Sequence, residues 1–148
     1  MTQFFEHDEQ IPTVHFVLLM PSSGSWDIGL RIAGAAALAV ERVNADKALL
    51  PGRRFEYSWA DSGCSAQKAL KEMGDLLRKA SKVDAVIGPG CSTACKVTSY
   101  LSSGQEIPQI SWACASPKLS DKDQYRLVSF LNRVPSLYYA MCFEWWGL

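Results

Sequence analysis

Positions 14–20, "VHFVLLM", are apolar almost without a break, the pattern of a strand buried on both faces of a parallel sheet. The run stops at "PSSGSWD". Positions 28–45 are Ala-rich with apolar residues at helical spacing and end at the break "LLPGRR", which predicts a long buried helix. In "RFEYSWAD", 54–61, Phe55, Tyr57 and Trp59 alternate with smaller or polar residues, so a second strand is predicted with that face the more buried. From Ser65 to Lys82, Leu70, Met73, Leu77 and Ala80 recur at helical period against a Lys, Glu and Arg face, the pattern of an amphipathic helix. "VDAVIG" predicts a third strand. Positions 92–103 predict a helix with Ala94, Val97 and Leu101 inward, and "IPQISW", 107–112, a fourth strand with Pro108 near its start. After the loop "ACASPKLSDKDQ", a fifth strand is predicted from Leu127 to Arg133 and a last helix from Ser136.

Strands alternating with helices imply right-handed crossovers and an α/β fold: a doubly wound, mostly parallel sheet with helices on both faces. A chain of 148 residues that is 48% hydrophobic suffices for one such domain. Positions 1–13 read as a polar leader and 14–148 as the domain, whose abrupt end, "CFEWWGL", stands where a sixth strand is expected and marks a truncated unit. Lys plus Arg and Asp plus Glu number 15 each, so no net field favours nucleic acid or an anionic membrane surface. No run has the length of a membrane span, and the acidic start lacks the basic-then-apolar plan of a signal peptide.

In such sheets ligands bind beyond the carboxyl ends of the strands, which gathers "PSSGSWD", "GPGCST" and "ACASP" on one edge. These loops offer small residues, hydroxyls and one aromatic, Trp26. They contain no Ser/His/Asp grouping, no glycine-rich dinucleotide fingerprint and no phosphate-binding loop, so no enzyme activity and no cofactor are expected. Gly88-Pro89-Gly90 leads into a helix whose first N–H groups, with the Ser92 and Thr93 hydroxyls, would suit a carboxylate or chloride, while the plainer reading has Ser92 or Thr93 capping the helix. Trp26 is read equally as core or as a stacking platform. Among the five cysteines no zinc spacing occurs. Cys64 follows the second strand on the same edge as Cys91, which makes these two candidate bridge partners, with Cys95, Cys114 and Cys142 as small core residues. A free Cys91 at a helix N-terminus would instead be a nucleophile. His15 reads as a satisfied core or face residue and His7 as exposed; of the carboxylates, Asp61, at a strand end beside Cys64, stands out from the solvated rest.

Taken in order, "SSGSW", an Ala-rich helix ending "VN", "LLPG", "DSGC", "GPGCS" and "IPQISW", then "SPKLSDKDQY", resemble the receptor ligand-binding region of class C G-protein-coupled receptors, natriuretic-peptide receptor cyclases and bacterial type 1 periplasmic binding proteins. Within that family they look most like the first lobe of the metabotropic GABA type B receptor ligand-binding subunit. The resemblance implies an incomplete first lobe of the two-lobed (Venus flytrap) fold and a Cys64–Cys91 bridge. It also implies ligand contacts at Trp26, Gly90, Cys91, Ser92, Ala113 and Ala115, with Trp26 packing on an amino-acid ligand and Ser92 holding its carboxylate. Ala115 departs from the Ser or Thr that amino-acid receptors place there. A small amino-acid-like ligand, a homo- or heterodimeric parent and a G protein acting through a membrane domain outside this chain are the partners implied, with this part of a membrane receptor on the extracellular side. "GPGC" preceded by a cysteine loop is shared with the natriuretic-peptide receptors, whose cyclase domain would also lie outside this chain.

Overall fold

A computed structural model describes residues 11–131. The leader up to position 10, the helix expected from Ser136, and Cys142 lie outside the described residues. Thr13–Met20 forms β1, Gly29–Ala45 α1, Arg54–Asp61 β2, Ala66–Lys79 α2, Ala85–Ile87 β3, Ser92–Gly104 α3 and Gln109–Ser111 β4. A 3₁₀ turn at Pro117–Ser120 precedes β5, Val128–Phe130. The order β2-β1-β3-β4-β5 and its parallel pairings confirm the expected sheet. The chain runs outward from β1 to β2 and then back past β1 to β3, so the strand order reverses between β1 and β3. Loops at their carboxyl ends flank the crevice that this reversal opens.

β1 lies between β2 and β3, and its two faces seed two cores. Val17 and Leu19 turn to one side and pack with Ala60, Met73 and Val86, joined by Leu76 and Leu77 of α2 and Leu101 of α3. Phe16, Leu18 and Met20 turn to the other, where Ile32, Ala36 and Val40 of α1 and Phe55 and Tyr57 of β2 meet them. Phe16 lies 4.7 Å from Phe55 and 5.6 Å from Tyr57, ring centroid to ring centroid. Complete burial of a side chain such as Met73 contributes about 1.5–3 kcal/mol.

The pattern misplaces several faces. α1 is not buried along its length: its apolar contact with the sheet is the Ile32, Ala36 and Val40 stripe, and Leu30 and Leu38 are exposed, because alanine-rich sequence leaves helical periodicity weakly marked. α2 turns the expected Met73 and Leu77 inward together with Ala69 and Leu76, and leaves Leu70 exposed, so the buried stripe is shifted toward Ala69 and Leu76. Trp59 is 55% exposed, since β2 is an edge strand and α1 covers only its Phe55–Tyr57 portion.

α3 differs most in kind. Ala94 is buried and Leu101 packs on the core as expected, but Thr98, Ser99 and Ser102 are fully buried as well. They are tolerated because β4 places the equally buried Gln109 against them. Its Nε2 donates to Thr98 Oγ1 and to the Gly88 carbonyl, both at 3.0 Å, and its Oε1 accepts from Ser102 Oγ at 3.0 Å. Thr98 and Ser99 hydroxyls donate in turn to carbonyls one turn back, so each polar group is satisfied within the seam. Replacing Gln109 by Leu removes three of these bonds and strands the Gly88 carbonyl. Urea unfolding is expected to show a loss of about 1–3 kcal/mol with an unchanged slope.

Candidate ligand-binding edge

The loops after β1 and β2 are joined through Asp61, the last residue of β2. Its Oδ1 accepts from the amides of Ser22 (2.7 Å), Ser23 (3.2 Å) and Gly63 (2.8 Å). Its Oδ2 accepts from Ser23 Oγ at 2.6 Å and from Lys68 Nζ at 2.5 Å. Burial pushes this carboxyl up, but the bonds from Lys68, Ser23, Ser22 and Gly63 together outweigh it and hold the group well below the ordinary carboxylate value of 3.8. The two loops approach closely enough that a Cβ on Gly24, whose φ is +85°, would stand 2.2 Å from the Gly63 carbonyl oxygen, so glycine is required there for space and for conformation.

The loop after β3 is joined to the β2 loop covalently. Cys64 and Cys91 are disulfide-bonded, with Cα atoms 5.3 Å apart, as the sequence and the family likeness both indicated. Thr93 Oγ1 reinforces the tie by donating to the Cys64 carbonyl at 3.1 Å. A second bond, Cys95–Cys114, links the first turn of α3 to the loop after β4 across 6.6 Å between Cα atoms. This corrects the assignment of those two cysteines to packing alone: both are almost completely buried, and each is the other's partner. The Pro89 carbonyl adds a polar tie, accepting from Ser111 Oγ at 3.0 Å.

Gly90, Cys91 and Ser92 thereby stand at the centre of the edge. Neither Ser92 nor Thr93 caps α3: the cap position is Cys91, no side chain closes it, and the first intrahelical bond is Cys95 N–H to Cys91 carbonyl. The amides of Ser92, Thr93 and Ala94 precede that bond and point out of the helix end. Ser92 Oγ accepts the Ala115 amide at 3.2 Å, which occupies a lone pair and leaves its own hydrogen to donate. Ala115 is thus brought to the site by its backbone, and Ala113 lies half-buried in the same turn. Trp26, 38% exposed, reaches over from the β1 loop. Sequence reasoning missed its neighbour Trp112, which follows β4: the two indoles stand 5.5 Å apart between centroids at 42°. Its position as the last residue of the predicted fourth strand, at the carboxyl edge of the sheet, was the available signal.

His15 is a satisfied face residue far from this edge. It lies at the amino end of β1, with Nε2 2.9 Å from Ser58 Oγ and Nδ1 3.1 Å from the Lys82 carbonyl. Among the described residues, no three His, Cys, Asp or Glu side chains are grouped as metal ligands.

Two measurements check this construction. Non-reducing peptide mapping is expected to recover Cys64 joined to Cys91 and Cys95 joined to Cys114. For Asp61, a folded-state pKa held down means its contribution is whole above the ordinary value of 3.8 and is lost as the pH falls below it. Asp61→Asn is expected to cost about 1–3 kcal/mol at neutral pH. It should also flatten the fall in stability measured between about pH 5 and pH 2.

With these loops in place, the comparisons with known proteins bear on the same stretch of chain. The model of the family described as "Receptor family ligand binding region" matches residues 31–143. The Resact receptor of Arbacia punctulata is 29% identical over 131 residues, covering 86% of this chain and 13% of its own length. Gamma-aminobutyric acid type B receptor subunit 1 of Mus musculus is 27% identical over 139 residues, covering 90% of this chain and 14% of its own. Taste receptor type 1 member 1 of Homo sapiens is 34% identical over 123 residues, covering 73% and 14%. This chain therefore spans about a seventh of the length of these relatives, and the doubly wound sheet with its bridged edge loops belongs to the receptor family ligand-binding region.

Proposed function

We propose that this chain is the first, non-catalytic ligand-binding lobe of a longer membrane receptor, related to the GABA type B receptor among class C G-protein-coupled receptors. The lobe lies outside the cell and takes a small amino-acid-like ligand at the carboxyl edge of its sheet. The observation that carries the reading is the group formed by Ser92, Trp26 and the first amides of α3 in a chain similar along 90% of its length to a GABA type B receptor subunit. A carboxylate set at this end of α3 meets N–H donors, the positive end of the helix dipole and the remaining Ser92 hydrogen. The exposed face of Trp26 suits an aliphatic chain or an ammonium group. Cys91 is bonded to Cys64 and presents no free thiol, which supports binding over chemistry at this edge. In this reading the parent is a homo- or heterodimer and couples to a G protein through a membrane domain outside this chain.

A second reading, the extracellular domain of a natriuretic-peptide-type receptor guanylyl cyclase, is favoured by Ala115. A methyl stands there instead of a hydroxyl, and the Ala115 amide is taken by Ser92. Seven apolar spans downstream in the transcript support the first reading, and one span followed by a cyclase domain the second. Calorimetry on the protein expressed from its complete reading frame, titrated with γ-aminobutyrate, glutamate and other amino acids, tests the ligand class. Binding is expected, and Ser92→Ala is expected to weaken it about tenfold or more, the loss of one hydrogen bond to a charged group. No binding across the panel removes the amino-acid version.

A further inference from the structure

Trp26 leaves the loop after β1 and Trp112 the end of β4, two strands separated by β3, yet their rings meet over the β3 loop. The meeting point is Gly90. A Cβ built there would lie 2.7 Å from Trp112 Cη2, 2.8 Å from Trp112 Cζ2 and 2.9 Å from Trp26 Cζ3. Both six-membered rings therefore close on the space that glycine leaves, one residue before the cysteine that caps α3. Gly90 is needed for room rather than for its backbone angle, since no positive φ occurs at this position. Trp112 is the more buried of the pair and Trp26 retains an open face, so Trp112 backs Trp26 and fills the volume above the loop.

We propose that Trp112 is a specificity-determining residue of the ligand-binding edge, restricting the site to carboxylates whose tail is narrow and unbranched. The inference rests on the reading of this edge as a small-ligand site. A ligand anchored at the start of α3 finds the space over Gly90 occupied and must extend along the open face of Trp26. A straight aliphatic amine lies flat on that face with its ammonium against the ring, whereas a branched or aromatic tail collides with the pair. Removing the Trp112 ring would free Trp26 to turn and open the volume to larger tails.

The test is calorimetric titration of the protein from its complete reading frame with glycine, γ-aminobutyrate, L-leucine and L-phenylalanine, in the natural form and in Trp112→Ala and Trp112→Phe. The natural form is expected to favour γ-aminobutyrate over L-phenylalanine by at least about tenfold. Trp112→Ala should erase or reverse that ratio, and Trp112→Phe, which keeps a ring over Gly90, should fall between. An unchanged ratio in Trp112→Phe, with all four ligands weakened alike in Trp112→Ala, overturns the role of Trp112 and leaves the small-ligand reading standing. If the natural form binds none of the four, the small-ligand reading falls and the inference with it.

Discussion

The bond between Cys64 and Cys91 is the constraint on which the rest of the edge depends. A parallel sheet fixes where its strands end but not how the loops beyond them lie, because each loop departs toward its own helix. Here the β2 loop is fastened at both sides: to the β1 loop through the Asp61 carboxylate and to the β3 loop through the disulfide. Closing a loop of 27 residues removes unfolded-state entropy equivalent to about 3–4 kcal/mol. The positional effect matters more for function, since Cys91 is the cap of α3 and the bond sets where the free amides of that helix stand. Thr93 and the Cys64 carbonyl repeat the same tie in hydrogen-bonded form.

From there the ties continue across the sheet. Cys95 lies one helical turn after Cys91 and carries the connection to Cys114 in the β4 loop, so α3 is clamped at its start between the loops on either side. The residues left facing the crevice are small or hydroxyl-bearing, apart from the two tryptophans. That division has a physical basis: backbone amides can reach a ligand only where side chains do not intervene, and the loops stay in place without large side chains because covalent and charged bonds hold them. Ser92 illustrates the economy of the arrangement. By accepting the Ala115 amide it both positions the β4 loop and keeps its remaining hydrogen to donate.

Much of this was legible in the residues. The unbroken apolar run of β1 indicated a strand buried on both faces, and two separate cores form on it. Strand–helix alternation gave the parallel sheet, and the placing of Cys64 and Cys91 at the carboxyl ends of β2 and β3 marked them as partners. What escaped the reading depended on pairings distant in sequence. Cys95 and Cys114 look like buried thiols until the register of α3 against the β4 loop brings them together. Thr98, Ser99 and Ser102 look like a solvated helix face until Gln109, from the next strand, supplies their partner. Trp112 has the appearance of a strand residue, and only the crossing of the β1 and β4 loops over a glycine reveals what it meets. Periodicity reports burial along one element and is silent about which polar groups a neighbour will satisfy.

The ties that shape the edge also differ in what dissolves them, which separates its responses to acid and to reductant. The Asp61 carboxylate is held charged by Lys68, Ser23 and backbone donors, so mild acid leaves the β1–β2 junction intact, and the junction loosens only below the ordinary carboxylate range. The two disulfides are indifferent to such acid but open to thiol exchange where a sulfur can be reached. Cys95 and Cys114 are enclosed, at 0% and 1% exposure, whereas Cys64 and Cys91 lie at the half-buried rim. Graded reduction therefore reaches the rim bond first. Its opening would release the cap of α3 while the Cys95–Cys114 clamp and the Gln109 seam still fix the body of the helix against the sheet. The proposed binding at the edge should accordingly be lost at reductant concentrations that leave the fold in place. The loop tie and the core are separable because the rim bond positions donors, whereas the seam and the second bond carry the packing.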